Sequence, residues 1–197
     1  MSHASNSALN TKAADKLIVQ EVAPRDGLQI EPTWVDTADK IALINALSTA
    51  GFTRIEAGSF VSPKAIPALR DGEAVFQQIE RQAGVIYVAL VPNLKGAERA
   101  LAAKADELNL VMSASQTHNR ANMRMSCESS LTAFGDIVRH VKDSGVLLNA
   151  SVATAFGCPF EGTIDEDRVV GIVDTYREMG IEGSRSRIRP AWRIRAR

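Results

Sequence analysis

Arg25, Asp26 and Gln29 are the residues of this chain whose types and spacing most directly suggest chemistry. They follow an apolar run that stops at Pro24, and Gly27 lies between the charged pair and Gln29. A guanidinium presents a fixed fork of donors to an anionic oxygen, while a carboxylate offers the oxygen ligands that a hard divalent cation prefers. Side by side, the two can hold such an oxygen and such a cation together. The same two residues can equally form a structural ion pair in a loop.

A strand ending just before this pair would place it at the strand's carboxyl end, where α/β folds keep their chemistry. The pattern predicts strands at Leu17–Val22, Arg54–Ala57, Val85–Val91, Glu107–Met112 and Leu147–Ala155. It predicts helices between and after them at Thr37–Ala50, Pro67–Gln82, Lys95–Lys104, Glu128–Lys142 and Glu166–Met179, with Asp36 or Thr37 capping the first. Ser113–Met125 reads as a long polar loop. Strands 22 to 40 residues apart with helices between them indicate parallel βα units. Polar residues crowd the segments that end each strand: Glu56 and Ser59 after the second, Asn93 and Lys95 after the third, His118 to Arg120 after the fourth. The opposite turns, such as Ala50-Gly51-Phe52, carry little chemistry. That one-sided loading predicts an α/β fold of the (β/α)8 TIM-barrel type, with about five units present and the site at the carboxyl face.

With 197 residues, 45% hydrophobic and 23% charged, the chain can bury a sizeable core in one domain. No apolar run approaches the roughly 18 residues of a membrane span. Residues 1–15 lack an apolar targeting segment and read as a disordered leader of a cytoplasmic protein. Cys127 and Cys158 have neither metal-ligand spacing nor the density of a disulfide scaffold, which predicts reduced thiols. The formal net charge is zero, yet residues 183–197 hold six arginines and no acid, so the first 182 residues carry the other 17 basic residues against all 23 acidic ones. Such a tail suits nucleic acid, but nothing before it adds a basic face, and nucleic acid is not the expected partner.

Five segments carry a resemblance: Val-Ala-Pro-Arg-Asp-Gly-Leu-Gln (22–29), Ile-Glu-Ala-Gly-Ser-Phe-Val-Ser-Pro-Lys (55–64), Val-Pro-Asn-Leu-Lys-Gly (91–96), Ser-Gln-Thr-His-Asn-Arg-Ala-Asn-Met (115–123) and Phe-Gly-Cys-Pro-Phe-Glu-Gly (156–162). In order and register they resemble the bacterial hydroxymethylglutaryl-CoA lyases, from about Lys16 to Ile181. Arg-Asp-Gly alone would indicate only the wider group that includes isopropylmalate and homocitrate synthases. The Ser-Phe-Val-Ser-Pro-Lys and Gly-Cys-Pro-Phe-Glu-Gly segments favour the lyase.

The resemblance implies metal-dependent retro-Claisen cleavage of 3-hydroxy-3-methylglutaryl-CoA to acetyl-CoA and acetoacetate, a step of leucine breakdown, with Mg²⁺ or Mn²⁺. It makes Asp26 a metal ligand, Arg25 the group that stabilises the enolate, and Gln29 and Glu56 pocket residues, Glu56 supporting Arg25 or the metal shell. Asn93 and Lys95 would stand where coenzyme A passes, and both also suit a cap at the start of a helix. A coenzyme A thioester is the expected partner, and a homo-oligomer is admissible. His118, with no second His at ligand spacing, reads as an exposed or rim residue, His140, beside Arg139 and Lys142 in a helix, as a surface residue, and Cys158, between Gly157 and Pro159, as part of a packed turn; the family's catalytic cysteine lies on a later glycine-rich loop. The resemblance stops near Ile181, before that loop, the His-x-His pair and a later asparagine ligand. Residues 16–182 are thus expected to be a partial barrel, truncated and inactive by itself, with strands one and five as open edges and residues 183–197 as an aberrant tail that looks like a shifted reading frame. The alternatives are a noncatalytic fragment that binds coenzyme A esters or pairs with another chain, and a related Claisen-type synthase.

Overall fold

Val85–Val91 is apolar at every position but Tyr87, and the strand it forms is covered on both faces, as parallel strands in α/β folds are. The computed structural model describes residues 18–181, so the expected leader and the arginine-rich tail lie outside the described residues. Five parallel strands, β1 (Gln20–Glu21), β2 (Arg54–Ser59), β3 (Ile86–Val91), β4 (Glu107–Ser113) and β5 (Leu147–Ala153), lie side by side in chain order. Helices α1 (Thr37–Thr49), α2 (Gly72–Gln78), α3 (Leu94–Ala102), α4 (Gln116–Met123), α5 (Cys127–Val141) and α6 (Glu166–Glu178) complete the units. The result is a half barrel with β1 and β5 at its edges, consistent with the expected fold.

Alternation along the strands divides the sheet into two unlike faces. Ile55, Ala57, Tyr87, Ala89, Leu108, Leu110, Met112, Ala150 and Val152 share one apolar core with Ile44, Phe76, Ala97, Ala100, Phe134, Ile137 and Tyr176 of the helices. The intervening positions turn inward. There, hydrogen bonds join Glu56 to Asn109 and Asn109 to Ser151, so the inner face is polar where the outer one is not.

Three elements differ from the sequence reading. Among the described residues of the expected strand Leu17–Val22, only Gln20–Glu21 form β1, because the Glu21 carboxylate accepts from the Val22 and Ala23 N–H groups, both at 2.7 Å, and draws the chain into a π-helical turn at Ala23–Gly27. The predicted helix Pro67–Gln82 is a 3-10 turn at Pro67–Leu69 followed by α2. Asp71, at the break, gives its carboxylate to Thr37 (2.8 Å) and Lys40 (2.7 Å) instead of capping α2, and Gly72 packs its backbone against the Ser59 carbonyl. The expected loop Ser113–Met125 contains α4, which Ser115 caps through the His118 N–H at 3.0 Å and which Arg124 ends in the left-handed conformation.

Two glycines mark where this packing tolerates a side chain and where it does not. A Cβ at Gly96 would meet the Phe60 carbonyl oxygen and Pro92 Cδ at 2.9 Å each, while a Cβ at Gly135, inside α5, would meet only the exposed Arg139 guanidinium at 3.4 Å. Gly96→Ala is expected to destabilise by about 1–3 kcal/mol. Gly135→Ala should stabilise by about 0.5–1 kcal/mol through helix propensity. Thermal or urea denaturation of the two variants should show shifts of opposite sign.

Candidate active site

The turn after β1 delivers Arg25 and Asp26 together because both of their N–H groups close on the Val22 carbonyl, at 3.1 and 2.7 Å. Pro24 suits the start of this turn, having no N–H to leave unpaired. The Arg25 side chain is 9% exposed, and it binds inward and outward at once. Its Nε donates to Glu56 Oε1 at 2.6 Å, and its Nη1 donates to Asp26 Oδ1 at 2.8 Å. The Glu56 side chain is fully buried, while that of Asp26 is 44% exposed. Arg25 thus lies between a hidden carboxylate and one open to solvent, at the carboxyl end of β1 and β2.

Glu56 is satisfied from further along the sheet. Its Oε2 accepts from Gln20 Nε2 at 2.9 Å and from Asn109 Nδ2 at 3.4 Å, and Asn109 Oδ1 accepts from the Ser151 hydroxyl at 3.1 Å. Sequence reasoning identified Arg25, Asp26 and Glu56 but passed over Gln20, Asn109 and Ser151. The signal was there: polar residues at alternate positions of otherwise apolar strands, where an unpaired polar group would be costly.

Other candidates lie apart from this cluster. Gln29 lines a cavity of about 570 Å³ with Trp34, Ile66 and Arg70, between the segments that follow β1 and β2. Trp34 carries the Lys40 ammonium at 3.8 Å and the Arg70 guanidinium at 3.6 Å from its ring centre. Asn93 is exposed and caps α3, its Oδ1 accepting from the Gly96 N–H at 3.0 Å; Lys95 is exposed on the first turn. His118 does not sit in a loop, as expected, but on α4, half-buried, with Nδ1 2.6 Å from Ser113 Oγ. His140 lies on the surface near Glu98.

Both cysteines are free and buried. Cys158 sits in the packed turn that was expected: its N–H and carbonyl pair with Gly162 at 2.7 and 2.8 Å, and its thiol donates to Ser115 Oγ at 3.0 Å. The Cys127 thiol donates to the Ser113 carbonyl, and burial pushes its pKa up, away from the thiolate a nucleophile needs. The loop after β5 is latched to α4, because Glu161 accepts from the Thr117 N–H at 2.6 Å, a bond that lowers the pKa of the Glu161 carboxyl.

Among the described residues, no three His, Cys, Asp or Glu side chains come together as a metal site. Asp26 brings one carboxylate, of which one oxygen already accepts from Arg25. A hard cation prefers about six ligands, so these residues do not form a metal centre by themselves.

The HMGL-like family profile matches residues 16–185. A hydroxymethylglutaryl-CoA lyase of Bacillus subtilis is 44% identical over 166 residues, which are 84% of this chain and 56% of the relative. A 3-hydroxy-3-isohexenylglutaryl-CoA/hydroxymethylglutaryl-CoA lyase of Pseudomonas aeruginosa is 38% identical over 84% of this chain and 55% of its own length. The solved structure of an HMG-CoA lyase from Acinetobacter baumannii, in complex with coenzyme A and 3-methylmalate, superposes with a TM-score of 0.83 and 62% identity, over 87% of this chain and 56% of that one. The chain therefore spans about half the length of the relatives it matches.

Removing one partner of a buried ion pair leaves the other charge uncompensated. Glu56→Ala is expected to cost about 3–5 kcal/mol. Glu56→Gln should cost less, because its amide oxygen still accepts from Arg25 Nε. Denaturation midpoints for the two variants give the order, and equal midpoints would show that the hydrogen bond retained by the Gln amide adds nothing to stability once the charge is gone.

Proposed function

This chain belongs to the HMGL-like family, and from that premise we propose that Arg25, held by Glu56, is the enolate-stabilising group of a site that cleaves 3-hydroxy-3-methylglutaryl-CoA to acetyl-CoA and acetoacetate. The observation that carries this reading is a buried guanidinium fixed by two carboxylates at the carboxyl end of the sheet. Cleavage removes the proton of the 3-hydroxyl and breaks the C2–C3 bond. The C3 carbon becomes the ketone of acetoacetate, and the electron pair passes to the thioester as an enolate, which takes a proton at C2. Negative charge thus grows on the thioester oxygen, where a preoriented guanidinium is most effective. The bonds to Glu56 and Asp26 use two of the five N–H donors of Arg25.

Asp26 is the ligand this chain would contribute to the Mg²⁺ or Mn²⁺ that the family implies, a cation that supplies Lewis acidity when bound. Gln29 belongs to the pocket in this reading. Asn93, through its amide nitrogen, and Lys95 face the path of coenzyme A. A cytoplasmic setting and a place in leucine breakdown belong to the same proposal. The two edge strands favour a second, compatible reading, association with another copy of the chain.

With Asp26 alone, the 197-residue chain is expected to bind Mn²⁺ more weakly than micromolar; calorimetry showing a micromolar or tighter site would contradict this. Function is best tested in a chimera that joins residues 1–181 to the remaining part of the Bacillus subtilis relative. It should release acetoacetate from 3-hydroxy-3-methylglutaryl-CoA with added Mg²⁺, and Arg25→Met should lower kcat by about 10² with little change in KM. A chimera that melts cooperatively yet releases none would overturn the proposal. Light scattering of the 197-residue chain should show association that grows with concentration, whereas a monomer at all concentrations removes the second reading.

A further inference from the structure

We infer that Asn109 and Gln20 are positioning residues for Arg25, acting through the carboxylate of Glu56. The catalytic consequence rests on the role proposed for Arg25; the positioning itself does not. The two oxygens of Glu56 are divided between two tasks. Oε1 takes the Arg25 Nε donor at 2.6 Å, and Oε2 takes Gln20 Nε2 at 2.9 Å and Asn109 Nδ2 at 3.4 Å. The terminal torsion of a glutamate is broad, so a carboxylate held at one oxygen alone can swing. Donors reaching the second oxygen from two different strands remove that freedom and fix the direction in which the first oxygen faces Arg25.

The orientation of the Asn109 amide is itself set. Ser151 donates its hydroxyl to Asn109 Oδ1 at 3.1 Å, which turns the amide nitrogen toward Glu56. The opposite orientation would set the amide oxygen against a carboxylate oxygen. The bonds therefore run in one direction, from Ser151 on β5 through Asn109 on β4 to Glu56 on β2, and end at the same guanidinium. The link from Asn109 to Glu56 crosses β3, where the inward residue in register with Glu56 is the compact, fully buried Val88. Glu56, Asn109 and Ser151 are 0%, 3% and 7% exposed. Apolar residues would fill these positions without the need to satisfy any polar atom. Packing alone does not account for polar residues of β1, β4 and β5 that are joined, directly or through Asn109, to one carboxylate on β2. Holding the partner of Arg25 does.

The Nε–H proton of Arg25 reports directly on this arrangement. In the ¹⁵N-labelled 197-residue chain its resonance is identified as the one lost in Arg25→Lys, and its exchange with water is measured. Asn109→Leu, close in volume, and Gln20→Leu are each expected to move that resonance and to accelerate exchange by about tenfold or more, because opening of the Arg25–Glu56 bond is no longer resisted. Ser151→Ala should act in the same direction and less. Ser48→Ala, which removes a buried 2.9 Å contact with the Tyr87 hydroxyl on the helix side, serves as the control and should leave the resonance in place. The inference is overturned if Asn109→Leu and Gln20→Leu leave the Arg25 signal unchanged, or if Ser48→Ala moves it as far. Should Asn109→Leu fail to fold, Gln20→Leu and Ser151→Ala decide the matter by the same criterion. The readout does not involve turnover, so an inactive chimera would remove the lyase reading and leave this one standing. In an active chimera Asn109→Leu should lower kcat while KM stays near its original value.

Discussion

A carboxylate with no access to water governs how this half barrel is organised. Glu56 lies on β2 with no exposed surface, and a buried charge persists only when it is paired and hydrogen-bonded. Its requirement reaches four other places: Arg25 in the turn after β1, Gln20 on β1, Asn109 on β4 and, through Asn109, Ser151 on β5. Around Glu56 the inner face is polar. The outer face is built mainly from Ile, Leu, Val and Ala, with Tyr87 and Met112, against five of the helices.

The two faces divide the work between stability and chemistry. On the helix side, closeness matters more than chemistry. Ala97 and Ala100 let α3 lie against the sheet, and Gly96 brings the start of that helix onto the Phe60 carbonyl. On the inner side, direction matters more than volume, because the Arg25 guanidinium is held by directed bonds to Glu56 and Asp26. The carboxyl-end loops then brace one another. Arg168 donates to the Ala114 carbonyl, and the Ser115 N–H donates to Thr154 Oγ1.

The order of elements was legible because parallel βα units repeat a plain pattern of apolar run, polar loop and amphipathic helix. Arg25, Asp26 and Glu56 were legible as candidates because such folds carry polar groups near strand ends, although β2 runs on to Ser59 and holds Glu56 in its middle. What stayed hidden depended on contacts between distant segments. Nothing local announces that Asp71 serves Thr37 and Lys40 rather than α2, or that Lys40 is buried against Trp34. Helix α4 has no apolar period to betray it, and only Ser115 as a cap points to its start. Asn109 and Ser151 went unnoticed within their strands, since their partners are 53 and 42 residues away. Gln29 was expected to line a pocket, but nothing local showed that the cavity it lines is shared with Trp34.

The strand order β1-β2-β3-β4-β5 sets a timetable for a chain emerging from the ribosome. Every strand pairs with the one made just before it, so each new unit finds its template already in place and long loops need not be closed first. The Glu56 clamp breaks that rule. Asn109 reaches back across β3 over 53 residues, which leaves Arg25 and Glu56 without their full support until β4 has been synthesised. The scaffold can grow by neighbours, one unit at a time, but the fine aim of its arginine must wait for more than half the chain.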